Sequence, residues 1–340
     1  MIPWTLASGL AERRNNFDFL RFIAAIMVIF SHSWPLTQGG NQHEPLAVLT
    51  SNQLDFGALA VYIFFIISGF LIAMSYDRTR NVGRFLKARI LRIAPALIVV
   101  IFVLACIIGP FDTTIRASAY WSQFPFLSFI GDHLPGVFVH NAYAGAVDGS
   151  LWTIKFEVLC YILVALAGLA GLLTNRWVLA SLFVFAMTPW GQRYSLGLLP
   201  YFTVGMLYYG FRSVVPATGR IALGVLMALV LAFVMHQAGW ALPLGLGYLV
   251  LWFAFTPAIR LQHFAKYGDW SYGLYIWAFP VQQQWVQTFG NHLSPLALFA
   301  LSLPVAWGLA ILSWNLIEKR ALALKNTPLR WWKRTSKQVA

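Results

Sequence analysis

Apolar residues run in long, nearly uninterrupted stretches along this chain, and polar residues are largely confined to the segments between them. Ten stretches are long enough to predict helices that cross a membrane or are buried among such helices. They cover residues 18–36, 57–76, 91–109, 151–173, 177–190, 195–211, 219–235, 241–256, 271–288 and 296–317. Several are near the lower length limit for a span, so nine or eleven spans are alternatives to ten. The pattern predicts an all-α, polytopic integral membrane helical bundle.

The composition agrees with this class of protein. The chain has 340 residues, of which 59% are hydrophobic and only 10% are charged. Soluble globular proteins carry about 25% charged residues, so the soluble classes are excluded. We expect one transmembrane domain over residues 1–325, followed by a basic cytoplasmic tail over residues 326–340. The first apolar stretch ends without a small-residue cleavage site, so a cleavable signal peptide is not expected.

The distribution of basic residues predicts the topology. If the N-terminus is cytoplasmic, almost all of the 24 Lys and Arg residues fall on the cytoplasmic side. The exceptions are Arg116, Arg193 and Lys155, the last of which lies within a span. This bias fits the positive-inside rule and predicts that both termini are cytoplasmic. The net charge of +13 is then explained by topology and attraction to anionic membrane lipids, and no nucleic-acid partner is expected.

The first apolar stretch carries ionisable residues at unusual places. At about 100° per residue, Asp18, Arg21 and His32 project from one side of a helix. The eleven residues from Arg21 to His32 correspond to roughly 16 Å, so the imidazole lies beyond the bilayer centre. Polar groups at such depth usually face protein or water, which makes this helix face a functional candidate. The alternative is a histidine that only forms a hydrogen bond to a neighbouring helix.

A second candidate feature is cationic. Arg89 and Arg92 are three residues apart and therefore neighbours on one helix face, near Arg84 and Lys87. This cytoplasmic patch is either a plain topology signal or a site for a phosphorylated cytosolic ligand, because guanidinium groups suit phosphates. In the preceding span, Gly69 permits close approach of another backbone.

A polar stripe enters the fourth span. Ser150, Thr153, Glu157 and Tyr161 follow helical spacing and share one face. Glu157 is expected roughly 10 Å below the outer interface, which is the depth expected for His32. If both helix registers hold, the carboxylate and the imidazole form a pair in which Glu157 orients the ring.

The longest connection, residues 110–150, is rich in aromatic residues, Pro and Gly. It is too apolar for a solvated loop, and we interpret it as a lid over the outer mouth of the bundle. His133 and His140 would bind a metal only if this loop folded tightly, so no metal is expected. The chain contains no P-loop, Rossmann glycine motif, HExxH or nucleophile-elbow serine.

Several motifs, in this order, resemble those of the acyltransferase-3 family of bacterial integral-membrane acyltransferases, which O-acetylate surface polysaccharides and related acceptors. The motifs are FDFLRFIAAIMVIFSHS, FFIISGFLI, RILRIAP, LPGVF, VDGSLWTIKFEVLCYIL, WSYGLYIWAFPVQQ and WNLIEKRALALK. Together they extend over nearly the whole chain. The chain differs from many members at Ala278, where a histidine is common, at Asp148, where asparagine is common, and at Arg320, where proline is common.

The resemblance implies roles for individual residues. His32 would be the catalytic base and Glu157 its carboxylate partner. The acyl-donor site would contain Arg21, Arg89 and Arg92. Contacts with substrate are expected from the polar and aromatic residues near these positions, which are Asp18, Ser150, Trp152 and Tyr161.

The sequence therefore favours a membrane O-acyltransferase in the bacterial inner membrane. Acetyl-CoA from the cytosol is expected as the acyl donor, and a hydroxyl of a surface polysaccharide or lipid-linked oligosaccharide as the acceptor. Direct transfer and transfer through an acyl-histidine are both open. The alternatives are a proton- or solute-coupled transporter, since ionisable residues at depth also mark such pathways, and a non-catalytic scaffold. The lack of an internal repeat argues against the transporter.

Overall fold

The computed structural model describes residues 4–12, 15–122, 134, 136–139 and 146–327, with the side chains of Tyr194 and Asn291 left out. Within these ranges the chain is helical, and its only β contacts are two isolated bridges. One of these bridges joins Thr5 to Pro216 and the other joins Thr113 to Val137. The all-α class predicted from the sequence is therefore confirmed.

The α-helices are α1 (Leu6–Ala11), α2 (Phe17–Gln38), α3 (Pro45–Leu49), α4 (Phe56–Thr79), α5 (Val82–Val103), α6 (Gly109–Asp112), α7 (Ala117–Ser122), α8 (Trp152–Leu169), α9 (Arg176–Met187), α10 (Pro189–Ser195), α11 (Leu199–Gly210), α12 (Gly219–Val234), α13 (Ala238–Phe255), α14 (Ser271–Phe289), α15 (Pro295–Ser313) and α16 (Lys319–Ala323). Two π-helical turns, Leu104–Ile108 and Trp314–Glu318, extend α5 and α15, and short 3-10 turns form Leu172–Thr174, Phe264–Tyr267, Gly290–His292 and Leu324–Asn326. Each of the ten predicted apolar stretches coincides with one of these helices.

Among the described residues, six helices are long and apolar enough to cross a membrane. They are Phe17–Gln38, Phe56–Thr79, Val82–Asp112, Trp152–Leu169, Ala238–Phe255 and Pro295–Asn326. Two shorter apolar helices, Arg176–Met187 and Gly219–Val234, accompany them. The chain is thus a multi-pass membrane protein. The number of ten spans, the cytoplasmic termini and the domain boundary at residue 325 stay predictions, and most of the tail, 328–340, lies outside the described residues.

Helix α4 is at the centre of the bundle and packs against α2, α5, α8, α11 and α13. Its contact with α11 is a backbone contact. A methyl group on Gly69 would collide with the carbonyl oxygen of Phe202, and one on Gly205 would collide with that of Ile66. The close approach predicted at Gly69 is confirmed, and α4 and α11 have no space for a side chain at these two positions.

Helix α2 is held from its other side by α14 and α15. The amide of Gln282 donates hydrogen bonds to the Ile29 carbonyl oxygen, at 2.8 Å, and to Ser33 Oγ, at 2.9 Å. Gln282 is fully buried, so these bonds form in a medium where a lost partner is costly. They fix the position of α2 at the turn that precedes His32.

Part of the predicted lid, residues 123–133, 135 and 140–145, lies outside the described residues, and His133 and His140 are in that part. The parts of residues 110–150 that the structure describes are bound to the bundle. Gln283 Nε2 donates to the carbonyl of Ala146 at 2.5 Å, and Gln284 donates to Asp112. Tyr120 donates to the carbonyl of Ala105 at 2.8 Å. Across the described ranges, no cluster of His, Cys, Asp and Glu has the arrangement of a metal site.

Candidate active site

Two cavities lie one above the other along the same four helices. Arg21 and His32 are both on α2, but each lines a different cavity. Their separation of eleven residues corresponds to roughly 16 Å along the helix axis. Helices α4, α8 and α14 pass both levels as well, and each contributes residues to both cavities. We call them the arginine cavity and the histidine cavity.

The arginine cavity has a volume of about 100 Å³. Three guanidinium groups line it, those of Arg21, Arg89 and Arg92, as the sequence predicted. The rest of its wall is formed by hydroxyl, carboxylate and apolar groups, which include Ser68, Thr153, Glu157, Tyr161, Ser271, Tyr272 and Tyr275. The predicted polar stripe of α8 is confirmed for its last three members, because Thr153, Glu157 and Tyr161 all face this cavity.

Two of the three arginines are held by carboxylates. Arg92 donates to Asp269 Oδ2 at 2.5 Å and lies 3.9 Å from Glu318 Oε2. Arg21 lies 3.9 Å from the same oxygen of Asp269. Burial by itself raises the pKa of Asp269, but the charges of Arg92 and Arg21 outweigh it and lower that pKa to about 2. Asp269 is therefore a carboxylate that fixes two cations at the start of α14.

Arg89 is in a different situation. Its guanidinium lies 5.9 Å from the centre of the Tyr161 ring, and its buried Nε has no hydrogen-bond partner among the described residues. A buried charged donor without a partner is costly in a folded protein. Arg89 is thus the arginine of this cavity whose hydrogen-bonding capacity is least used by the protein itself.

Glu157 lies in the arginine cavity, close to Arg89. Its Oε1 accepts hydrogen bonds from the Tyr161 hydroxyl and, at 3.5 Å, from Ser68 Oγ. Ser68 comes from α4, so this carboxylate connects α4 and α8 inside the cavity.

The histidine cavity is larger, about 550 Å³. Its polar wall contains His32, Asn41 and Asp55, and its aromatic wall contains Tyr62, Trp152 and Phe279. The rings of His32 and Phe279 meet edge to face, with centroids 5.2 Å apart. Phe279 follows Ala278, the position where many family members are expected to carry a histidine.

Two buried polar atoms at this cavity have no hydrogen-bond partner in the described part of the chain. They are His32 Nδ1 and Asn41 Oδ1. The other end of the Asn41 amide donates to Asp55 Oδ2 at 2.9 Å. Asp55 Oδ1 accepts from the backbone N–H of Ala58 at 2.7 Å and so caps the start of α4.

The cavities share two wall residues, Val61 of α4 and Tyr275 of α14. The hydroxyl of Tyr275 donates to the carbonyl of Ser150 at 2.8 Å and lies 2.7 Å from Thr153 Oγ1. These bonds hold the ring at the boundary between the two cavities. The structure thus places the predicted cation site and the predicted base on opposite sides of one thin wall.

The contact predicted between His32 and Glu157 is not formed, and no hydrogen bond or ion pair joins these two described residues. The reason is the position of α8. Gly149 and Trp152 already line the histidine cavity, so the chain is at the level of His32 before the helix begins. Glu157 lies five residues beyond Trp152, about 7 Å further along the axis, which carries it to the arginine cavity. Its catalytic role stays a hypothesis.

The four residues predicted to contact substrate separate in the structure. Trp152 lines the histidine cavity and Tyr161 the arginine cavity. Ser150 is buried and donates to Asp148 Oδ1 at 2.5 Å, which stabilises the turn before α8. Asp18 is 44% exposed, pairs with Arg21 at 3.8 Å and does not line either cavity.

Sequence reasoning missed two carboxylates, Asp55 and Asp269. Asp55 stands directly before α4 and Asp269 stands two residues before α14, positions where an aspartate is typical of a helix start or a loop. The position of each aspartate near a helix start was the only feature of the sequence that could have drawn attention to it. Nothing local indicates that Asp269 also contacts Arg92, which is 177 residues away in the sequence.

Comparison with known proteins identifies the family of the chain. A family model for the acyltransferase-3 class, described as an acyltransferase domain, matches residues 14–314. An O-acetyl transferase of Shigella phage Sf6 is 29% identical over an alignment of 352 positions. The alignment covers 94% of this chain and 99% of the phage protein. Nodulation protein 10 of Rhizobium leguminosarum bv. viciae is 33% identical over 229 residues, or 64% of this chain and 60% of that protein. No solved structure matches the chain at a significant level. The chain belongs to the acyltransferase-3 family and is an acyltransferase.

Proposed function

We propose that this protein is an O-acetyltransferase of the bacterial inner membrane. It takes the acetyl group of acetyl-CoA from the cytosol and transfers it to a hydroxyl of a surface polysaccharide or a lipid-linked oligosaccharide on the outer side. Support comes from the family, from the phage relative named an O-acetyl transferase, and from two cavities of different chemistry that meet inside the bundle. These findings favour acyl transfer over a transporter or a scaffold.

The arginine cavity is suited to the donor. Guanidinium groups bind phosphates and polarised carbonyl oxygens, and Arg89 has an unused buried donor. A volume of about 100 Å³ accommodates the thioester end of coenzyme A but not the whole molecule. In our proposal the phosphates stay at the cytoplasmic entrance and the narrow arm extends along α2 toward His32.

The histidine cavity is suited to the hydroxyl acceptor. In our proposal the His32 ring takes the proton of the acceptor hydroxyl while its oxygen attacks the thioester carbonyl. The new C–O bond forms, the C–S bond breaks, and the departing coenzyme A thiolate takes the proton back from the imidazolium. Transfer through an acetyl-histidine would use the same ring.

The observation that carries the proposal is the shared wall at Val61 and Tyr275. It brings a site for an anionic donor and a site for a base within reach of one long, narrow substrate. Neither cavity alone would explain a group transfer.

The decisive experiment is His32→Ala, with His263→Ala as the matched control because His263 is exposed and lines neither cavity. We expect His32→Ala to lower transfer of radiolabelled acetyl from acetyl-CoA at least about 100-fold, the usual contribution of a general base, while membrane abundance is unchanged. His263→Ala should retain full activity. Undiminished transfer by His32→Ala would remove His32 from the mechanism.

A further inference from the structure

Three side chains that line the histidine cavity, those of His32, Asn41 and Asp55, carry hydrogen-bond acceptors. Asn41 Oδ1 has no hydrogen-bond partner among the described residues, and the ionised Asp55 carboxylate has only acceptor oxygens. His32 Nδ1 accepts whenever the ring is neutral and carries its proton on Nε2. The arginine cavity instead offers guanidinium donors. A wall of acceptors suits a ligand that brings several donors, and hydroxyl groups are such donors.

These acceptors are close to one another. A Cβ atom placed on Gly57 would lie 2.9 Å from Ser31 Oγ and 3.2 Å from Asp55 Oδ1, so these two oxygens are close to each other. Ser31 directly precedes His32 on α2, so Asp55 lies next to the turn that carries the imidazole. Asn41 is bound to Asp55 by its amide nitrogen, which leaves the amide oxygen for a ligand. One ligand with two or more hydroxyls can therefore engage both sides of the cavity.

The same cavity has an aromatic wall that is rigid. The Tyr62 ring is stacked on the Tyr201 ring, with centroids 3.7 Å apart and planes within 8°. Trp152 is a second aromatic side chain of this wall. A flat, fixed ring beside a set of acceptors matches the two sides of a pyranose, which has an apolar C–H face and hydroxyls around its edge.

We propose that Asp55, Asn41 and Tyr62 form the acceptor subsite and that it binds a hexopyranose ring. The sugar packs its C–H face on Tyr62, donates one hydroxyl to the Asp55 and Asn41 oxygens, and presents another hydroxyl to His32. This inference rests on the proposed function, which already names a sugar acceptor, and adds to it the three residues that bind the sugar ring. It also gives Asp55, rather than Glu157, the place of the carboxylate beside the base.

The test compares two acceptors that share a tail but differ in the sugar. Octyl hexopyranosides and 1-octanol are supplied with radiolabelled acetyl-CoA to the full-length protein in lipid nanodiscs. We expect kcat/KM to be at least about 100-fold higher for the best glycoside than for octanol, because octanol leaves the acceptor groups unpaired. The ratio of the two kcat/KM values is the readout, since a merely structural defect lowers both values together.

Two variants address the subsite. Asp55→Asn removes the charge and one acceptor oxygen but keeps the cap of α4, because asparagine is an equally good N-cap. Tyr62→Leu removes the aromatic face. Each should reduce the preference for the glycoside by about 10-fold or more, with the KM for acetyl-CoA within about twofold of wild type.

Matched controls are Asn175→Asp, an amide–carboxylate exchange at the cap of α9, and Tyr267→Leu, whose parent ring is 73% exposed. Both should keep the wild-type ratio. An unchanged ratio in Asp55→Asn and Tyr62→Leu, or equal use of octanol and glycosides by the wild type, would overturn the subsite.

The two proposals fail in different ways. If label reaches cell glycans but neither octyl acceptor, the hexose subsite is wrong and the acetyltransferase stands. If no acceptor of any kind receives label from acetyl-CoA, or if His32→Ala remains fully active, the proposed function itself is wrong.

Discussion

The two cavities along α2 differ in the groups that they present and in how far the protein has already satisfied them. In the arginine cavity, Asp269 and Glu318 hold Arg92, and Asp269 also faces Arg21. In the histidine cavity, His32 Nδ1 and Asn41 Oδ1 are buried and have no hydrogen-bond partner in the part of the chain that the structure describes. In the arginine cavity the charges are paired with each other, and Arg89 Nε is the donor that has no partner among the described residues. In the histidine cavity the atoms without a partner are acceptors.

The difference shows that equal chemistry does not imply equal roles. The three arginines were predicted together from the sequence, yet the structure divides them. Arg92 is bound by two carboxylates with side-chain exposures of only 15% and 2%, so it belongs to the architecture of the cavity. Arg89, whose Nε has no hydrogen-bond partner among the described residues, is the arginine to which we assign donor binding. Substitutions in the two arginines should separate stability from donor binding.

The largest effect is expected for Arg92→Ala. Removing Arg92 leaves Asp269 with only the more distant Arg21 and takes away the cation beside Glu318, and breaking a buried ion pair in this way typically costs about 3–5 kcal/mol. We therefore expect much less folded protein and a lower melting temperature in detergent, measured by fluorescence-detected size exclusion and thermal shift. Normal folding of Arg92→Ala would contradict the division between the two arginines.

A smaller effect, on binding rather than folding, is expected for Arg89→Ala. A hydrogen bond to a charged group contributes roughly 1.5–3 kcal/mol, so the Kd for acetyl-CoA should rise about 10- to 100-fold. The melting temperature should stay near that of wild type, because no hydrogen bond of Arg89 Nε is lost. Titration with a non-hydrolysable acetyl-CoA analogue measures this, and Arg220→Ala, at an exposed position of α12 that lines neither cavity, is the control. An unaltered Kd would exclude Arg89 from the donor site.

The smallest effect is a loss of folding stability at acidic pH, which we expect from the protonation of Asp269. Its pKa of about 2 in the folded protein is below the ordinary value of 3.8, so the stability it contributes is present above pH 4 and is lost as the pH falls toward 2. The loss between pH 7 and pH 3 should be about 1 kcal/mol. The contribution of Asp269 is the difference between wild type and Asp269→Asn in how far the melting temperature falls between these two pH values. If both proteins lose the same stability, the lowered pKa is wrong.

Much of the fold was predictable because the signals are local. Apolar stretches located all ten long helices, and the three-residue spacing of Arg89 and Arg92 placed both guanidiniums in one cavity. Gly69 indicated a close backbone contact, and that contact exists. Each inference needed only helical periodicity or the size of one residue.

The features that the sequence did not predict correctly depend on distances between helices that are far apart in the chain. His32 and Glu157 were assigned one depth by counting from an assumed interface at Ser150, but Ser150 and Asp148 are each only 1% exposed and lie inside the protein. An error of one to two helical turns was enough to move the carboxylate into the other cavity. Asp55 and Asp269 were missed because an aspartate near a helix start looks the same in a sequence whether it only stabilises that start or also contacts a distant residue.

The glycine contact between α4 and α11 has a mechanical consequence. Since backbone contacts backbone at Gly69 and Gly205, neither helix can slide or rotate past the other without a collision, and the two helices form one rigid unit. Val61 and Tyr62 belong to that unit because they lie on α4. A change in the wall between the two cavities therefore requires movement of Tyr275 on α14, and that movement would break the contacts of its hydroxyl with Ser150 and Thr153.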